Sequence, residues 1–442
     1  MTGSAIAERG SDVVSDPQEP QQQIPERWKR NVALFLTGQT VSLFGSMIVQ
    51  YAVMWYVTFE TGSGFAVALY AIAAFAPQGV VSLFGGVLAD RMNRRVLAIG
   101  ADAVIAAVTL VLATAMLLGV TDMWVILLAV AARSLGAGVQ TPAVTAMIPQ
   151  VTPPDQLMRV NGLFATIQSA MALIAPAAAG ALFGLLGIVP VFFLDVATAV
   201  VGIGFLARVR VQTLAAVAES TTSFREDLVE GMRYIRHNAV VRWLLLVFAF
   251  IVLLTGAPSM ITPLLVARTF GAEVWMVTVL ELAFSVGMLA GGALVSTVLA
   301  KRGKATLIVV SSFGFGVCTI ALGLAPDLWA FYGFMFAFGL MVPVFSTPFM
   351  TLLAEIVEPE KHGRVFSYVG IAIALAVPVG MAVFGPLADL VSVELLLVAA
   401  GVLMTIVLVL AMRAPSGRAA LARASRAPSA EADDSSSVGA PA

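Results

Sequence analysis

Charge is scarce in this chain. Only 12% of its 442 residues are Asp, Glu, Lys or Arg and 60% are hydrophobic, whereas water-soluble domains carry about 25% and about 45–50%. That balance excludes a fold whose main solvent is water, and with it a soluble enzyme. No surplus of positive charge offsets the shortage, since 25 Lys and Arg face 26 Asp and Glu, so a nucleic-acid partner has no footing. Cysteine is almost absent. Cys318, alone in an apolar run, leaves no intramolecular disulfide to form and reads as a small buried hydrophobe. Histidine is nearly as rare: His237 and His362 fall in separate polar loops, outside any metal-ligand or catalytic-triad spacing. A phosphate loop is missing too, because Arg302-Gly303-Lys304-Ala305-Thr306 lacks the upstream glycine of GxxxxGK(S/T). ATP is thereby set aside as an energy source.

Long apolar runs are what the chain has in abundance. Residues 1–26 are rich in Gln, Pro, Ser and acids, without the apolar core of a signal peptide, so the first hydrophobic segment is expected to stay in the protein. It follows the basic cluster Arg27, Lys29 and Arg30 and runs from about Val32 to Val57, enough to cross roughly 30 Å of hydrocarbon. Further runs of spanning length lie near 65–89, 96–119, 124–148, 160–187 and 190–207, then near 241–265, 275–299, 305–325, 329–356, 365–390 and 393–412. The expectation is an all-α polytopic membrane protein with twelve transmembrane helices. With both termini cytoplasmic, every Lys and Arg except Arg133 and Arg268 falls in a tail or an even-numbered loop, as the positive-inside rule demands. Glu60, Asp122, Glu273 and Asp327 then fall in external loops, and the expected location is the inner (plasma) membrane.

The spans divide into two sets. Residues 208–240 form the longest polar interval between them, and Ser223-Phe224-Arg225-Glu226 has the form of a capping box opening a helix. Phe224, Leu228, Met232 and Ile235 would share one face of that helix, flanked by Arg225, Arg233 and Arg236, which suits the cytoplasmic membrane surface. Gly85-Gly86 recurs as Gly291-Gly292 and Thr141-Pro142 as Thr347-Pro348, both at an offset of 206 residues. A duplicated six-span unit explains the shared offset. The expected organisation is an N-terminal tail (1–30), a six-helix bundle (31–207), a linker with an interfacial helix (208–240), a second six-helix bundle (241–412) and a disordered cytoplasmic tail (413–442).

Between spans 2 and 3 stands Gly86-Val87-Leu88-Ala89-Asp90-Arg91-Met92-Asn93-Arg94-Arg95. Gly86 permits close helix approach, Asp90 is placed to cap or pair at the membrane boundary, and Arg91, Arg94 and Arg95 are placed to pair with acids or helix C-termini. The string resembles the loop signature GxLaDrxGrr of the major facilitator superfamily, whose fold is two six-helix pseudo-repeats with a ligand site near the midplane between them. The resemblance implies a conformational latch on the cytoplasmic side. Asn93 replaces the usual Gly, and Asn tolerates a left-handed backbone best after Gly. In span 5, Ala175-Pro176-Ala177-Ala178-Ala179-Gly180 is similar to the antiporter signature GPxxGG with two Gly replaced by Ala; Pro176 and Gly180 would bend the helix and let it pack closely. Arg133-Ser134-Leu135-Gly136 partly matches the family's RxxxG element, with its Gly one residue early. Together with Trp28-Lys29-Arg30, Gly38-Gln39, Ser42-Leu43, Glu60-Thr61-Gly62-Ser63 and Thr141-Pro142-Ala143, these stretches resemble the macrolide-efflux branch of drug-proton antiporters across most of the first half.

Ionisable groups inside spans are costly and mark function by default. Asp102 in span 3, Arg133 in span 4, Asp195 in span 6 and Glu281 in span 8 are the candidates for proton coupling. Asp102 and Arg133 are reckoned to lie at depths within roughly 6 Å of one another, which makes an ion pair between them feasible. Asp195 and Glu281 have no basic residue on their own helices; a carboxyl group without a counter-ion in apolar surroundings can load and release a proton. Gln39, Gln50, Asn161 and Gln168 are candidate cavity-lining amides, although amides also serve as interhelical glue. Phe and Met, 26 and 19 in number, suit an adaptable apolar cavity and equally suit lipid-facing packing.

These residues lead to an expected function: proton-driven export of hydrophobic or amphipathic small molecules, macrolide-like or of several drug classes, by alternating access. Export of a siderophore or other amphipathic metabolite would use the same machinery, and a non-transporting membrane scaffold is the reading from another class. The expected partners are a small hydrophobic substrate, protons and the lipid bilayer, with a monomer as the working unit and the proton gradient in place of any cofactor.

Overall fold

A computed structural model of the chain describes residues 27–211, 224–415 and 417; side chains at 83–91, 224–228 and 257 are outside that description. Thirteen α-helices follow in order: α1 (Trp28–Thr61), α2 (Gly64–Arg91), α3 (Arg94–Leu117), α4 (Met123–Val151), α5 (Leu157–Leu186), α6 (Ile188–Leu206), α7 (Phe224–His237), α8 (Ala239–Thr269), α9 (Val274–Ser296), α10 (Lys304–Gly323), α11 (Leu328–Ile356), α12 (His362–Leu390) and α13 (Val393–Arg413). No strand occurs among the described residues. All but α7 are long and apolar enough to cross a membrane, and each coincides with one of the twelve apolar runs.

Helices are the required answer for these runs, because hydrocarbon offers no partner to a free backbone N–H or C=O. Their ends are marked by residues that satisfy the orphan groups. Asn93 accepts from the N–H groups of Arg95 and Val96, Asn238 from Val240 and Val241, Asp327 from Ala330, and Ser392 from Leu395. Asn93 therefore departs from the left-handed expectation: its φ is -64°, and its side chain caps α3, a use that glycine cannot supply. Left-handed geometry appears instead at Gly62, φ 54°, which closes α1 with its N–H on the Thr58 carbonyl.

Packing repeats between the halves. In the first, α1 lies against α6, α2 against α4, and α3 against α4 and α6; in the second, α8 lies against α13, α9 against α11, and α10 against α11 and α13. The halves join along α2–α12 and α5–α9. Because successive spans alternate in direction, loops α1–α2, α8–α9 and α12–α13 share one face, called distal here, and the linker lies on the other. Helix α7 packs on α12, where Gly231 meets Tyr368 and Arg364 while Glu230 takes Lys361 and, at 2.7 Å, Arg364. Ile235 is buried and Met232 exposed, so the two do not share one environment. Ser223 and the side chains of Phe224, Arg225, Glu226 and Leu228 lie outside the described residues.

Candidate functional site

Inside the first half, the charges assemble around Asp195. Arg133 of α4 reaches its Oδ2 at 2.5 Å, Thr109 of α3 donates to the same oxygen at 3.1 Å, and Ser46 of α1 donates to Oδ1 at 3.3 Å. Arg133 also donates to the Thr109 hydroxyl. Asp195 is 1% exposed and Arg133 12%, so this is a buried pair. Close approach of α1 and α6 makes it possible: a Cβ on Gly45 would stand 1.9 Å from Thr198 Oγ1 and 3.1 Å from Asp195 Oδ1.

The pairing of Arg133 with Asp102 is thereby corrected. Depth along the axes brings the two level, but the guanidinium turns toward α6, and Asp102 instead accepts from Ser42 Oγ at 3.2 Å and Gln140 Nε2 at 2.6 Å. Asp195 in turn has a basic partner, contributed by another helix. Ser134, unforeseen from sequence, repairs α2 where Pro77 interrupts it: its hydroxyl donates to the Ala74 carbonyl at 2.7 Å and accepts from the Gln78 N–H at 2.9 Å. The RSLG stretch thus carries an ion pair and a helix repair on adjacent residues.

Glu281 lies apart from that network, on α9 in the second half. It faces a cavity of about 230 Å³ between the halves, walled by Met47, Gln50, Tyr51, Met54, Tyr70 and Phe75 from the first half and by Ser259, Met260, Phe284 and Met335 from the second. Tyr70 is fixed there by donating to the Gln50 carbonyl at 2.7 Å. No Lys, Arg or His nitrogen lies within 4 Å of the Glu281 carboxylate among the described residues. Thioethers and aromatic faces adapt to varied apolar ligands, and one carboxylate supplies the charge.

Gln50 is the one predicted amide on this cavity. Gln39 is 5% exposed, inside the first bundle. Asn161 and Gln168 are exposed on α5, on the stripe that continues through Ala172, whose carbonyl accepts from Ser285 of α9 at 3.2 Å. They therefore lie on the face of α5 that meets α9 further along, toward its linker-side end. Further along, Pro176 and Gly180 are buried, α5 runs unbroken through them, and a Cβ on Gly180 would fall 2.0 Å from Thr278 Oγ1. Gly180 is thus a point of close approach between α5 and α9.

Of the loop motif, Arg94 donates to the Ala146 carbonyl of α4 at 2.9 Å and Arg95 to the Ala207 carbonyl at the end of α6. Arg95 thus caps the C-terminus of α6, while Arg94 ties the start of α3 to the body of α4, five residues before that helix ends. The side chains of Gly86, Asp90 and Arg91 lie outside the described residues.

The distal face carries a closure that the sequence did not announce. Asp389 of α12 accepts from Ser63 Oγ (2.8 Å) and from the N–H groups of Gly64 (2.7 Å) and Phe65 (2.9 Å), so it caps α2 of the other half. Arg268 of α8 binds Asp389 at 2.7 Å and donates through Nε and Nη2 to the Gly62 carbonyl at the end of α1, at 3.0 and 2.7 Å. Each half thus neutralises helix ends of the other, acid at an N-terminus and base at a C-terminus. Every described hydrogen bond between the six-helix bundles lies at this face or at mid-depth. Losing such a cap costs roughly 1 kcal/mol, so Asp389→Ala is expected to shift the closed-to-open balance by about fivefold to tenfold. Spin labels at Glu60 and Leu390 should report a wider distance distribution; an unchanged one would show that the cap is not what holds the face shut.

A multi-pass membrane transporter built from two matching six-helix halves is the class that this fold and central cavity define. The chain matches the Major Facilitator Superfamily over residues 35–326 and 275–435, and it belongs to that family. It is 31% identical over 371 residues to macrolide efflux protein A of Streptococcus pyogenes, covering 83% of this chain and 91% of that one. It is 26% identical over 363 residues to the multidrug efflux pump Tap of Mycolicibacterium fortuitum, covering 78% and 86%. Among solved structures, a bacterial homologue of the iron transporter ferroportin superposes with a TM-score of 0.70 at 15% identity, over 87% of this chain and 99% of that one. That likeness shows the fold.

Proposed function

We propose that the chain exports hydrophobic or amphipathic small molecules, macrolides among them, in exchange for protons, with Glu281 as the group that alternates between its protonated form and substrate engagement. The observation that carries this reading is the Glu281 cavity: a lone carboxylate without a basic partner, enclosed by Met and aromatic side chains from both halves. In this reading the distal face is external and the termini cytoplasmic, a monomer is the working unit in the cell membrane, and the proton gradient is the energy source. Alternating access would exchange the Arg268–Asp389 closure for one on the linker side, where Asp90, Arg91, Arg94 and Arg95 are placed. Relatives named for macrolide and multidrug efflux support the substrate class.

Weakly buffered, detergent-purified protein provides the test. A macrolide is expected to release protons on binding, saturably and with a pH dependence shared by its apparent affinity. Binding without proton release at any pH would refute the exchange mechanism, and no binding of any macrolide would refute the substrate assignment.

A further inference from the structure

The interior of the first half holds one more acid than base. Helices α3, α4 and α6 carry Asp102, Arg133 and Asp195 as their only charged residues away from the linker-face end of α3, and Arg133 is committed to Asp195. Asp102 is 3% exposed. Both of its hydrogen bonds, from Ser42 and Gln140, fall on Oδ1, and Oδ2 is buried without a partner. An ionised carboxylate in that setting would leave an orphaned oxygen and an uncompensated charge, costing several kcal/mol. A neutral carboxyl group removes the uncompensated charge: Oδ1 then serves as its carbonyl, accepting two hydrogen bonds, while Oδ2 carries the hydrogen, and one unpartnered neutral hydroxyl costs less than an unpartnered charged oxygen.

We propose that Asp102 is a proton-binding site in its own right, separate from Glu281, and that it exchanges its proton toward the linker side, past Gln140. The surroundings favour this route. Asp102 lies eight residues into α3, about 12 Å from the linker-face end of the helix; Gln140 is half-buried beside it and Thr141 is exposed. The groups that face it from neighbouring helices are few. Helix α6 offers Asp195, α4 offers Arg133 and the neutral Gln140, and α1 offers the neutral Ser42, while Tyr70 of α2 is turned to the Glu281 cavity. Three hydroxyls tie the acids together: Ser42 and Ser46, one turn apart on α1, each donate to one of them, and Thr109, two turns beyond Asp102 on α3, donates to Asp195. At a separation of about 10 Å in a medium of low dielectric, a charge at Asp102 is felt at the Arg133–Asp195 pair. Loading and unloading Asp102 would therefore bias the packing of α1, α3, α4 and α6 without substrate in the cavity.

Infrared spectroscopy reads this site without requiring transport. In Glu281→Gln protein at neutral pH, the carbonyl band of a neutral carboxylic acid, sensitive to deuteration, is expected to persist. Adding Asp102→Asn should remove it, and pH titration should count one proton fewer per chain. Adding Asp195→Asn instead should leave the band in place. Gln140→Leu, which keeps the acid but deletes a donor, should move the band to higher frequency and covers the case in which Asp102→Asn does not fold. No acid band in the Glu281→Gln protein, or a band that survives Asp102→Asn and ignores Gln140→Leu, would overturn the proposal. Because no substrate is added, these outcomes are independent of whether the chain exports macrolides.

Discussion

Arg133→Met is expected to destabilise the first bundle by about 3–5 kcal/mol, the usual cost of stripping one partner from a buried ion pair. The acid left behind is 1% exposed, and its other partners are two neutral hydroxyls, Ser46 at 3.3 Å and Thr109 at 3.1 Å. Neither replaces a guanidinium. Asp195→Asn should cost less, because its amide still bonds Ser46 and Thr109 while Arg133, 12% exposed against 1% for the acid, keeps the Thr109 hydroxyl. The double variant Arg133→Met with Asp195→Asn should recover much of the loss, since no buried charge is then unmatched. Thermal unfolding of the four proteins in one detergent closes the cycle. Equal destabilisation by both single changes, with no recovery in the double, would mean that the pair contributes only packing.

The hydropathy of the runs made the twelve helices legible, because a membrane forces one solution on any apolar segment of that length. Position along each helix axis was legible too, at about 1.5 Å per residue. The direction in which a side chain points was not. Asp102, Arg133 and Asp195 all fall inside the bundle as their depths suggest, yet which acid takes the arginine depends on α4 presenting Arg133 to α6 across Thr109, a matter of helix rotation and neighbour choice. Ser134 eluded sequence reasoning for the same reason, as its purpose appears only beside Pro77 of another helix. Arg268 looked like an external loop charge and Asp389 went unremarked at the end of its span, because their partners, Gly62 to Phe65, belong to the opposite half. Asn93 was misjudged for a different reason: standing where the family has Gly, it invited a backbone explanation, whereas its carbonyl oxygen caps α3.

Glu281→Gln is expected to abolish gradient-driven accumulation while leaving binding measurable. The amide nearly preserves the shape of the acid, so the Met and aromatic walls from Met47 to Met335 that enclose it have no reason to repack. What it loses is the change of charge. Without a group that takes up and releases a proton in each cycle the gradient has nothing to act on, so efflux from loaded vesicles should fall to passive leak, and proton release on macrolide addition should vanish or fall by one proton. Asp195 was the other acid with a claim to this position, and its commitment to Arg133 at 2.5 Å argues against it: taking up a proton would give up that buried ion pair in every cycle. Asp195→Asn is therefore expected to keep macrolide-induced proton release, at lower stability. If Glu281→Gln retained coupled efflux at wild-type rates, the coupling acid would lie elsewhere. Asp102, the remaining unpaired carboxyl group inside the first bundle, would then have to link the proton to the cavity across the interface between the halves.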